Sequence, residues 1–129
     1  MPDARTHMSR DLLTVDPGDT LTEVAKRMVA KDVGAVLVYE GGRLRGILTE
    51  RDVLRAVAQG IDAGTTVADW MTRDPETLDP DESTEHAAVL MIHGGFRHLP
   101  VTDGDDVVGM LSIRDLMRVV LEDAVPRGA

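Results

Sequence analysis

Apolar residues recur along this chain in two rhythms, and both rhythms come round twice. From Thr20 to Asp32, the positions Leu21, Val24, Ala25, Met28 and Val29 keep the three-and-four spacing of an amphipathic helix. Thr20-Leu-Thr-Glu23 at its start has the form of a capping box, and Asp16-Pro17-Gly18-Asp19 ahead of it has turn composition. The short segment Leu12 to Val15 leads into that turn as a strand. Ala35-Val-Leu-Val-Tyr39 is a continuous, β-branched apolar run, which predicts a buried strand. Glu40-Gly41-Gly42 turns it into a returning strand, Leu44 to Leu48. Thr49 then opens a helix with Val53, Leu54 and Val57 on one side, stopping near Gly60. Later in the chain the same order returns: helix Ser83 to His93, strand Leu99 to Thr102, turn Asp103-Gly104-Asp105, strand Val107 to Leu111, and a helix from Ser112 to about Glu122.

The recurrence is a duplication. With an offset of 63, Met8–Arg55 lies on Met71–Arg118 without a gap, and 15 of the 48 pairs are identical. Among the identities are Met8/Met71, Asp16/Asp79, Pro17/Pro80, Met28/Met91, Gly46/Gly109, Leu48/Leu111, Arg51/Arg114 and Asp52/Asp115. The pattern predicts a mixed α/β (α+β) fold of two β-α-β-β-α repeats. Repeat 1 spans 8–60 and repeat 2 spans 71–122; 61–70 connects them, with a short turn at Thr66–Trp70, and 1–7 and 123–129 are tails. One repeat buries little apolar surface alone, so the two are expected to pack as a pseudo-twofold pair, with Trp70 anchoring the connection where it meets repeat 2. In the last helix Ile113, Leu116, Met117, Val119, Val120 and Leu121 cover more than one face, which points to cover from a second subunit and hence a homodimer.

Composition narrows the function. Only Tyr39, Trp70 and Phe96 are aromatic and the net charge is −9, so neither base-stacking surfaces nor non-specific attraction to nucleic acid or anionic membrane is expected. There is no Cys, which removes disulfides, thiolate metal sites and Cys nucleophiles. No apolar stretch resembles a signal peptide or reaches membrane-spanning length, and a soluble cytoplasmic protein is expected. His86 and His93 share a helix but have no third ligand, so no metal site is expected.

Both repeats carry Gly-apolar-Leu-Thr/Ser-x-Arg-Asp, as Gly46-Ile-Leu-Thr-Glu-Arg-Asp52 and Gly109-Met-Leu-Ser-Ile-Arg-Asp115. Each also opens with Met-x-x-x-x-x-Thr-Val/Leu and starts its first helix with Pro-x-x-Thr/Ser, and repeat 2 adds Phe96-Arg-His-Leu-Pro-Val101. In these marks each repeat resembles a CBS domain, the motif named after cystathionine β-synthase, and the pair resembles a Bateman module. The resemblance implies a regulatory module binding an adenosyl nucleotide (AMP, ADP, ATP or S-adenosylmethionine) in a cleft between repeats. It implies that Asp52 and Asp115 hold ribose hydroxyls and that Thr49 and Ser112 help hold phosphate. It further implies that Thr14 and Val15, or Thr77 and Leu78, cradle adenine.

The residues themselves support two readings. A helix N-terminus presents free N–H groups and suits phosphate, and Arg51 and Arg114 in the first turn oppose the dipole unless an anion is near. The same Thr/Ser-x-x-Asp spacing is also a helix cap, and capping and binding are compatible. Arg97, His98 and Pro100 stand where repeat 1 has Gly34, Ala35 and Leu37, so the Asp115 site is preferred for a phosphorylated ligand. No required cofactor and no catalytic motif is found. The expected role is ligand sensing that signals to a partner protein; the alternative is a ligand-free dimerisation or interaction module.

Overall fold

The structure is a computed structural model that describes residues 2–124. In chain order its elements are α1 (Ala4–His7), β1 (Thr14–Val15), α2 (Leu21–Lys31), β2 (Ala35–Glu40), β3 (Arg43–Thr49), α3 (Glu50–Gln59) and α4 (Val67–Trp70). There follow β4 (Thr72–Arg73), α5 (Thr84–Gly94), β5 (His98–Asp103), β6 (Asp106–Ser112) and α6 (Ile113–Ala124). The fold is mixed α+β. Its contacts divide it into two compact units: Leu12–Pro75 forms the first, and the segment up to Asp11 joins the chain from Glu76 onward to form the second. The end of the tail expected at 123–129, from 125 on, lies outside the described residues.

In the first unit the sheet order is β1-β2-β3-β4, with β1 parallel to β2 and the other pairs antiparallel. The apolar run of β2 alternates sides: Val36 and Val38 join Val15, Leu21, Val24, Met28 and Leu48 in a core against the helices, while Ala35 and Leu37 are also buried. A strand buried on both faces needs such a continuous run rather than alternation. α2 starts on Thr20, whose hydroxyl accepts from the Glu23 N–H at 3.3 Å. It ends on Asp32 in the left-handed conformation at φ 56°, a geometry that Gly95 supplies at the corresponding end of α5 with φ 71°. Asp, like Asn, tolerates this conformation better than other non-glycine residues.

The second unit repeats this pattern in reduced form. β5 and β6 pair in the same register as β2 and β3, down to the irregularity after Val101 that matches the one after Val38. The flanking strands shrink to single bridges, Leu78 beside Val101 (parallel) and Ser9 beside Met110 (antiparallel). The core gathers Ala4, Leu78, Ala87, Met91, Leu99, Val101, Leu111 and Leu116. On α6, Leu116 and Val119 are buried while Ile113, Met117, Val120 and Leu121 are exposed, so this helix is indeed apolar on a face its own unit does not cover.

Two expectations need correction. Residues 1–7 are not wholly a tail: α1 buries Ala4 completely in the second unit's core, and Ser9 exchanges backbone bonds with Met110 at 2.8 and 2.9 Å. Four residues are too few to carry a hydrophobic period, so this helix left no pattern to detect. Trp70 packs on the core of the first unit instead of anchoring repeat 2. The reason is visible in the backbone. Val67 N–H donates to the Asp19 carbonyl and Ala68 N–H to that of Pro17, both at 2.9 Å, which ties α4 to the start of α2.

α1 is capped by Asp3, which accepts from Thr6 Oγ1 at 2.7 Å and from Thr6 N–H at 2.9 Å. The hydroxyl, then the backbone N–H, holds the Asp3 carboxyl below its ordinary value. A lowered carboxylate value stabilises above the unfolded value and stops doing so as pH falls through the folded one. Protection of the α1 amides, relative to their intrinsic exchange, should therefore fall below the usual carboxylate range, and Asp3→Ala should remove that acid dependence. An unchanged dependence in the variant would assign it to another group.

Candidate functional site

β3 delivers Thr49 to the start of α3 in extended conformation, and α3 begins at Glu50. Thr49 Oγ1 accepts from the Asp52 N–H at 3.3 Å, while Asp52 Oδ2 accepts from the Thr49 N–H at 2.9 Å and from Thr49 Oγ1 at 3.0 Å. β6 and α6 reproduce this arrangement: Asp115 Oδ2 accepts from Ser112 N–H at 2.8 Å and from Ser112 Oγ at 2.9 Å, and Asp115 N–H donates to Ser112 Oγ at 3.2 Å. Capping is therefore present at both helix starts, and it occupies one carboxylate oxygen and the hydroxyl proton of each. Asp52 and Asp115 are only 9% and 8% exposed. Among the described residues no buried side-chain oxygen lacks a partner, so the second Asp52 oxygen, which takes no bond, reaches solvent. The second Asp115 oxygen takes the Arg118 guanidinium at 3.3 Å, an ion pair whose arginine is 64% exposed and whose strength solvent screens. Sequence reasoning missed Arg118; the identity Arg55/Arg118 was the signal available.

The other candidate residues fall around these helix starts within each unit. In the first unit Thr49 pairs with Ala35 and the Glu50 N–H donates to the Gly34 carbonyl at 2.9 Å, so β2 begins beside the start of α3. Thr14 and Val15 lie one strand further over, with Thr14 exposed, Val15 buried, and the Arg27 guanidinium donating to the Thr14 carbonyl at 3.4 Å. In the second unit His98 pairs with Ser112, and the Ile113 N–H donates to the Arg97 carbonyl at 2.9 Å. Arg97, Arg51 and Arg114 are exposed, His98 is half-buried and Pro100 is buried. Leu78 is buried beside β5 and Thr77 is exposed. Each unit thus places a capped Asp, exposed arginine and the first strand of its sheet on neighbouring positions, which suits a ligand with hydroxyls and negative charge.

The remaining polar candidates form no comparable site. His86 stands 3.8 Å from Glu82, and among the described residues no three His, Asp or Glu side chains gather for a metal ion. No described helix is long and apolar enough to cross a membrane.

The CBS domain family matches residues 4–59 and 67–122. The CBS domain-containing protein YhcV of Bacillus subtilis is 38% identical over 117 residues, covering 90% of this chain and 84% of YhcV. The protein MJ1225 of Methanocaldococcus jannaschii is 31% identical over 92% of this chain, which spans 43% of that longer protein. Among solved structures, the CBS domain pair of protein MJ0100, crystallised with 5′-methylthioadenosine and S-adenosyl-L-methionine, superposes with a TM-score of 0.88 at 26% identity, covering 95% of this chain and 98% of that one.

Proposed function

The chain belongs to the CBS-domain family and carries two CBS domains, and from that premise we propose that it is a regulatory module binding an adenosyl nucleotide and signalling its occupancy to a partner protein. The observation that carries this reading is the doubled helix start, where a nearly buried aspartate spends one oxygen on the cap, while the other takes no bond in Asp52 and meets the exposed Arg118 in Asp115. A carboxylate oxygen can accept from a ribose hydroxyl without dismantling the cap. Exposed Arg51, Arg97 and Arg114 offer phosphate a charge partner. The adenosyl compounds held by the MJ0100 pair support the ligand class. Signalling follows if the ligand binds one arrangement of the protein better than another, since only differential affinity shifts a population. The exposed apolar residues Leu54, Ile92 and Met117 on three helices support a homodimer and also a second reading, a ligand-free interaction module.

Calorimetric titration with AMP, ADP, ATP and S-adenosylmethionine separates the two. At least one should bind, without turnover, and Asp115→Asn should weaken it more than Asp52→Asn. Asparagine keeps a carbonyl for the cap, so the loss reports the ligand and not the helix. No binding at millimolar concentration leaves the interaction module standing, and equal effects of the two variants would overturn the preference for the second unit.

A further inference from the structure

The two helix starts share a backbone hydrogen bond and differ in the charge of the residues that make it. The Glu50 N–H donates to the Gly34 carbonyl at 2.9 Å, and the Ile113 N–H donates to the Arg97 carbonyl at 2.9 Å. Donors and acceptors both correspond at the offset of 63, so this is one bond made twice. In the first unit Gly34 has no side chain and Glu50 adds an exposed carboxylate. In the second unit Arg97 adds an exposed guanidinium and Ile113 is uncharged. The first pair therefore carries one negative charge and the second pair one positive charge. The other charged residues of the two starts are identical, as Arg51/Arg114, Asp52/Asp115 and Arg55/Arg118, and cancel in the comparison.

Glu50 also changes what its helix offers a ligand. The first turn of α3 holds two acids, Glu50 and Asp52, whereas the first turn of α6 holds one, Asp115. A carboxylate there offsets the positive end of the helix, which is the end that attracts a phosphate. The neutral acceptor function of the first unit survives. Asp52 is 9% exposed, and the oxygen that the cap leaves over takes no bond and reaches solvent. A ribose hydroxyl has no charge to be repelled and can donate to it. Resting on the nucleotide reading above, we infer that Glu50 is a specificity-determining residue: it disfavours phosphate in the first unit and leaves that unit to an adenosyl compound without one. The second unit, with Arg97 and without the extra acid, takes the phosphorylated compound. The larger effect expected of Asp115→Asn then belongs to the phosphorylated ligands.

The test is Glu50→Gln, which removes the charge and keeps the shape, titrated with AMP at low ionic strength in an Asp115→Asn background that weakens the second site. AMP binding at the first unit should strengthen about fivefold, the effect of one charge at a helix start. The gain should fade as salt is raised, because exposed charges are screened, and adding Asp52→Asn should remove it. The reverse change, Ile113→Glu in the otherwise unaltered chain, should weaken AMP about fivefold. The phosphate-free probe is 5′-methylthioadenosine. It should bind the parent chain, Glu50→Gln and Ile113→Glu alike, and Asp52→Asn should weaken it. AMP affinity unmoved by Glu50→Gln, a gain that persists at high salt, or a parent chain that binds AMP but not 5′-methylthioadenosine overturns the inference while leaving nucleotide binding in place. If the parent chain binds neither of these, nor ADP, ATP or S-adenosylmethionine, the nucleotide reading itself falls, and this inference with it.

Discussion

Replacing Gly46 by alanine is expected to destabilise the first unit by about 1–3 kcal/mol, the range for forcing extra atoms into a packed site. A Cβ at this position would stand 2.7 Å from the Thr72 carbonyl oxygen and 2.9 Å from Met71 Sδ. That oxygen belongs to backbone held in the β3–β4 ladder, where Gly46 pairs with Arg73 and Ile47 with Thr72. It can retreat only by opening the sheet edge. Gly109 is the contrasting case. There the Cβ would run into Met8 Sδ and stand 2.6 Å from its Cγ, a closer approach that leads to a side chain. Methionine has three rotatable bonds and can swing aside, so Gly109→Ala should cost less. A double-mutant cycle makes the distinction sharp. Adding Met8→Ala should relieve most of the clash of Gly109→Ala, whereas adding Met71→Ala should leave the backbone clash of Gly46→Ala in place. Denaturant midpoints read the parent, the four single variants and the two doubles. A larger loss at Gly109 than at Gly46 would show that the sheet edge yields more easily than the methionine.

These two glycines also mark what was legible before any coordinates. The offset of 63 placed Gly46 on Gly109 and both capped aspartates in register, and the helix and strand boundaries followed from capping boxes, turns and the two apolar rhythms. What stayed hidden was the partner of each repeat's opening segment. Met8 opens the first repeat but packs on Gly109 of the second, and Met71 opens the second but packs on Gly46 of the first. Hydrophobic periodicity reports which face of an element is buried and says nothing about which copy buries it. The polar residues hid the symmetry further, because the two copies exchange roles. Asp3 accepts from Thr6 at the start of α1, whereas at the start of α4 it is Asp69 that accepts from Thr66. An identity count at offset 63 scores both pairs as mismatches although the hydrogen bonds correspond. The unequal first strands were hidden for another reason: Pro100 has no N–H where Leu37 of the first unit donates to the Leu13 carbonyl, and a bond that is not made carries no period.

The segment before Met8 supplies the strongest expectation of this kind. Ala4→Asp should destabilise the second unit by about 3–5 kcal/mol, the usual penalty for an unpaired buried charge. Ala4 is fully buried among Leu78, Ala87, Met91, Leu99, Val101, Leu111 and Leu116, a set without a cation to pair with a new carboxylate. The helix cannot simply lift away at little cost. Ala4 N–H donates to the Glu82 carbonyl at 2.9 Å, Arg5 N–H to that of Pro80 at 3.0 Å, and Thr84 N–H to that of Pro2 at 3.1 Å. Releasing α1 would break these bonds and uncover the start of α5. Hydrogen exchange followed by mass spectrometry locates the damage. Protection should fall across α5, β5 and β6 and persist in β2 and β3, whose core of Val36, Val38 and Leu48 contains no residue of the N-terminal segment. Ala4→Ser, which adds one small hydroxyl, should lose much less, separating the effect of charge from that of bulk. Parent-like protection in Ala4→Asp would mean that α1 contributes little to its unit, and that the first seven residues behave as the tail their sequence suggested.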